Sequence, residues 1–127
     1  MPNTFKLSSK KIVLSASPRR DKKFVARITT LDRVVNVHFG GVRGDTGEWY
    51  NDFTSGGNRD AYLARHAKNG ENWRVSGILT PGFWARWLLW EKKTYVQAKK
   101  YMEHEFHINI HMDSSFLRAI QRVRLNQ

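Results

Sequence analysis

The chain has 127 residues, of which 40% are hydrophobic and 13% aromatic, with five Trp; that is one domain with material for a core, which excludes global disorder. Cysteine is absent, which excludes disulfides, thiol catalysis and Cys-based zinc or iron–sulfur sites. Lys and Arg number 22 against 11 Asp and Glu, a net charge of +11, so polyanions are natural partners at low salt.

No run of 18 apolar residues predicts a transmembrane helix, and the opening MPNTFKLSSKK shows no secretory signal. The charge is uneven. Residues 1–33 carry nine basic and two acidic residues, whereas 34–112 carry ten and eight. Residues 1–10 read as a basic, flexible lead, and 11–127 as a single α+β domain. Lys11 to Ala16 is an apolar run of strand length, and SPRRDKK (17–23) turns the chain. Phe24 to Thr30 alternates, with Phe24, Ala26 and Ile28 on one side. After Leu31-Asp32-Arg33, a third strand, Val34 to Phe39, puts Val35, Val37 and Phe39 on one face. The short connections predict an antiparallel sheet of three or four strands. Residues 40–57 contain six Gly and read as an exposed loop, with Glu48–Tyr50 and Asp52–Thr54 as candidates for one more extended piece.

The second half predicts three or four helices. Asn58 caps the first, over Arg59 to Asn69, with Gly70 past its end. Thr80 caps a second, with Pro81 at its first position. Thr94 caps a third, carrying Tyr95, Ala98, Tyr101 and Met102 at helical spacing. Phe106 to His111 alternates like a late strand. Asp113 or Ser114 then caps an amphipathic helix with Phe116, Leu117, Ile120 and Val123 on one side.

The densest segment runs from Tyr62 to Trp90. Trp84, Trp87, Leu88 and Glu91 recur at helical spacing, and such a stripe reads as core. The ordered residues Tyr62, Arg65, His66, Trp73, Ser76, Gly77, Ile78, Thr80, Gly82, Phe83, Trp84, Arg86, Trp87, Leu88, Leu89 and Trp90 spell YxxRH…W…SGIxTxGFWxRWLLW. This pattern resembles an uncharacterised family, a domain of unknown function, of small basic proteins from nucleocytoplasmic large DNA viruses, phycodnaviruses, mimiviruses and iridoviruses among them. Val37-His38-Phe39-Gly40 and Asp52-Phe53-Thr54 also resemble the family. The likeness covers about residues 33–95; the Gly-rich insertion at 40–51 and the segment 96–127 depart from it. The resemblance implies a viral origin and no activity.

Tyr62, Arg65, His66, Trp73, Phe83, Trp84, Arg86, Trp87 and Trp90 are thus the candidate core or docking residues. Lys10, Lys11, Arg19, Arg20, Lys22, Lys23, Arg27 and Arg33 are the candidate contacts to nucleic acid or an anionic surface, through phosphates and without sequence readout. His104, His107 and His111 read as a solvated polar face rather than a metal site, and Arg43-Gly44-Asp45 as an ordinary turn. No nucleophile motif, P-loop or dinucleotide fingerprint is present, so neither catalysis nor a cofactor is expected. Together with the viral origin that the resemblance implies, this predicts a non-enzymatic virion protein, a minor capsid or internal scaffold component. Its partners would be other viral structural proteins, and it would occupy host cytoplasm or nucleus during assembly. The alternative is a non-specific DNA-packaging protein of the nucleoprotein core, and an anionic membrane surface is a third use for the basic quarter.

Overall fold

Runs of β-branched and aromatic residues form three strands in the first third of the chain: β1 (Lys11–Ala16), β2 (Lys22–Thr29) and β3 (Val34–Gly41). The computed structural model describes residues 11–41 and 59–125, with side chains through residue 120. Lys10, the rest of the 1–10 lead, the Gly-rich stretch after residue 41 with Arg43-Gly44-Asp45, the Asn58 cap and the Val123 side chain lie outside the described residues.

β1, β2 and β3 pair as an antiparallel meander, with Leu14 opposite Ala26 and Ala26 opposite Val37. A fourth strand, β4 (Ile110–Met112), joins the free side of β1 in parallel, giving the order β3-β2-β1-β4. The sheet is therefore mixed rather than purely antiparallel. β4 comes after all but the last of the helices, so it reaches β1 by a long connection, as a parallel pair requires.

Period-2 alternation sends Ile12, Leu14, Phe24, Ala26, Ile28, Val37 and Phe39 to one buried face. Helices α2 (Pro81–Trp84), α3 (Tyr95–Phe106) and α4 (Ser114–Leu125) cover that face, and α1 (Arg59–Lys68) adds Tyr62 to the same core. Phe24 is the hub, with ring centroids 4.5 Å from Phe116, 5.4 Å from Tyr95 and 5.9 Å from Phe39. The opposite face exposes Lys11, Arg27, Asn36 and His111.

Two helix starts illustrate capping. Thr94 is extended and its hydroxyl accepts from the Gln97 N–H at 3.2 Å. Asp113 accepts from the Phe116 N–H at 3.0 Å, and its second oxygen accepts from Ser15 at the end of β1. That carboxylate thus caps α4 and ties it to the sheet. Thr80 occupies the predicted cap position of α2, but its hydroxyl donates back to the Gly77 carbonyl instead.

The late alternation at 106–111 misled the sequence reading. Helix α3 runs through Phe106, and His107 ends it in the left-handed conformation, φ 54°; the strand begins only at Ile110. On α4, Phe116 and Ile120 face inward, whereas Leu117 stays exposed.

Candidate functional site

The β1–β2 turn closes by Ser17 N–H to the Lys23 carbonyl, 3.0 Å. Arg19 and Arg20 project from it, exposed, and Lys22 and Lys23 are half-buried. Arg19 forks onto Asp21 at 3.2 and 3.3 Å, and its hydrogen bond holds the Asp21 carboxyl below the usual range. Lys11, paired with Thr29, and Arg33 in the β2–β3 turn lie at the other end of the hairpins. A strand rise of ~3.3 Å per residue separates the two ends by about 20 Å. Arg27 stands between them on the outer face, donating to Asn36. The described members of the basic set therefore do not form one contiguous patch.

The Trp-rich motif turns inward. Helix α2 widens after Trp84 into a π-type turn, Ala85–Leu89. Phe83, Trp84 and Leu88 are fully buried. Trp84 Nε1–H donates to the Ile78 carbonyl at 2.8 Å, and Trp87 Nε1–H to the Trp73 carbonyl at 2.7 Å. Gly77 is obligatory in this packing, because a Cβ there would strike the Asn72 carbonyl. The widened turn carries Arg86 inside, 8% exposed. Its guanidinium lies 4.2 Å from the Trp87 ring centroid and 5.4 Å from that of Trp73. Arg86 donates to Glu91 Oε1 at 2.7 Å, and Arg59 donates to the same oxygen at 2.9 Å. Burial pushes the Glu91 carboxyl up, but the two guanidinium hydrogen bonds outweigh it and hold the group below its ordinary value.

Tyr62, Arg65, His66 and Trp90, the other motif residues, meet at a cleft of about 260 Å³ between the end of β3, α1 and the start of α2. The Tyr62 ring is sandwiched between His66, at 4.2 Å, and Trp90, at 4.5 Å. Gly70, φ 73°, reverses the chain after α1 and returns Glu71 beside His66. Glu71 Oε2 lies 2.5 Å from His66 Nδ1, and Oε1 accepts from Trp73 Nε1–H at 3.1 Å. Gly82 leaves room for this carboxylate, since a Cβ there would come within 2.6 Å of Oε1.

Two members of this cleft, Lys22 and Gly82, escaped the sequence reading in that role. Lys22 reads there as part of the hairpin tip, although it lines the cleft with Gly40 and Gly41. Glu71 and Gly82 carry no local signal that joins them to each other. A second basic group was also missed: Lys92, Lys93 and Lys100 surround a shallow hollow with Glu91 and Gln97. Its sequence trace is the doubled KK at 92–93 and 99–100. Among the described residues, no cluster of three His, Asp or Glu could hold a metal ion, and no helix is long and apolar enough to cross a membrane. The chain matches no protein-family model, no curated protein and no solved structure.

Proposed function

We propose that this chain is a non-enzymatic structural protein of a large DNA virus particle, a minor capsid or internal scaffold component that docks on other viral structural proteins. The observation that carries this reading is the placement of charge. The cations of the hairpin tip and those of Lys11 and Arg33 lie about 20 Å apart at opposite ends of the strands. Arg19 is already occupied by Asp21. A protein that condenses DNA gains from a continuous cationic track; separated cations suit local contacts on a protein surface. The motif that resembles the viral family goes largely into core and cleft, which fits a scaffold role in which shape is the function.

The salt dependence of binding to random-sequence duplex DNA tests this against the packaging alternative. The structural reading expects log K to fall with log salt at a slope no steeper than about −3, the value for roughly three phosphate contacts. A slope of about −6 or steeper would transfer the assignment to the nucleoprotein core.

A further inference from the structure

We propose that the cleft between the end of β3 and α1 binds a phosphate monoester dianion carried on a small apolar group. This inference stands on the cleft itself and does not depend on the virion reading.

Two features point to the ligand. The first is charge. Glu71, the one acidic group lining the cleft, has both oxygens engaged, by His66 and by Trp73. Lys22 and Arg65 also line it, and among the described residues neither has an ion-pair partner. With both Glu71 oxygens taken, Lys22 and Arg65 are the two groups left to meet the two charges of a dianion. Arg and Lys together supply the forked and the point donor that phosphate oxygens accept.

The second feature is the floor. Its accessible apolar lining is Pro81, exposed, and Ala85, half-buried, with the almost completely buried Phe39, Leu89 and Trp90 closing the cleft behind them. An anion with nothing attached would leave that surface unused. A phosphate on an aromatic or aliphatic carrier places its charge at Lys22 and Arg65 and its apolar body on the floor. His66 is fixed through Nδ1 by Glu71, which leaves Nε2 as the ring nitrogen available to a bound oxygen.

The test is calorimetric titration of the full chain at pH 8 with phenyl phosphate, benzenesulfonate and inorganic phosphate. Phenyl phosphate should bind saturably at one site, about 10-fold or more tighter than benzenesulfonate, its monoanionic analogue, and tighter than inorganic phosphate. Lys22→Met and Arg65→Gln should each weaken it about 10-fold, the loss expected for one hydrogen bond to a charged group. Lys100→Gln, outside the cleft, should leave it unchanged. Both cleft side chains reach solvent, so melting curves should match the parent and separate loss of binding from loss of fold. The His66 ring signals in NMR should shift on addition of phenyl phosphate. Absence of saturable binding up to about 10 mM ligand, equal affinity for benzenesulfonate, or unchanged affinity in both cleft variants would each overturn the assignment.

Discussion

Trp84 is the residue whose removal tests most about this fold. It is fully buried, lies between Phe39 and Phe83, and donates to the Ile78 carbonyl at 2.8 Å. Replacement by Ala removes the transfer energy of the indole and leaves a cavity, together about 3–5 kcal/mol. It also strips the buried Ile78 carbonyl of its donor, about 1–3 kcal/mol more. The sum, about 4–8 kcal/mol, is comparable with the whole stability of a domain this size. Trp84→Ala should therefore be largely unfolded or melt some 15–30 °C lower. Trp84→Phe keeps most of the ring volume and loses the N–H, so it should cost about 2 kcal/mol. Guanidinium unfolding followed by far-UV circular dichroism reads both. A Trp84→Ala protein within about 1 kcal/mol of the parent would refute the inward placement of the motif, and with it the reading of this segment as core.

Glu91→Ala leaves the buried Arg86 guanidinium without its carboxylate and should cost about 3–5 kcal/mol by the same unfolding assay. Asp113→Ala removes the α4 cap and its tie to Ser15, at about 1–2 kcal/mol. Burial raises the Asp113 carboxyl, but hydrogen bonds from Ser15, the Phe116 N–H and Ser115 outweigh that, so Asp113, like Glu91, has a lowered folded-state pKa. Their contributions are complete above the ordinary values of 4.5 for Glu91 and 3.8 for Asp113, and drain as pH falls through the lower folded values. Thermal scans should therefore show stability flat near neutrality and falling below about pH 4.5, with a shallower acid limb in Asp113→Ala. Gly82→Ala pushes a methyl group against Glu71 and should cost about 1–3 kcal/mol; most of that should vanish in a Glu71→Ser background, and a fully additive double mutant would contradict the contact.

The three meander strands were legible because each obeys a strict period of two: Phe24, Ala26 and Ile28 read inward and lie inward. The helices were legible from Pro81, Thr94 and Gly70, which punctuate the chain by local conformational preference. What failed was non-local. FHINIH alternates in sequence, yet packing of Met102 and Phe106 holds the helix through 106, and His107 absorbs the reversal in a left-handed conformation. The parallel partner of β1 was hidden because nothing in Ile110–Met112 names the strand it pairs with. Arg86 reads as a core or docking residue of the motif, and the widened turn after Trp84 carries it inside, against Glu91. The cleft was half legible. Tyr62, Arg65 and His66 stand together in the motif, but Lys22 lies 40 residues before Tyr62 and is brought there only by the sheet.

The proposal that this chain is a component of a large DNA virus particle rather than a genome-packaging protein is tested most directly by fractionating purified particles from infected cells that express it. The chain would be quantified by mass spectrometry through successive salt and detergent washes. The account predicts that it stays with the protein shell at salt that screens phosphate contacts, about 0.5 M and above. Release together with the genome at that salt would contradict the account and place the protein in the nucleoprotein core.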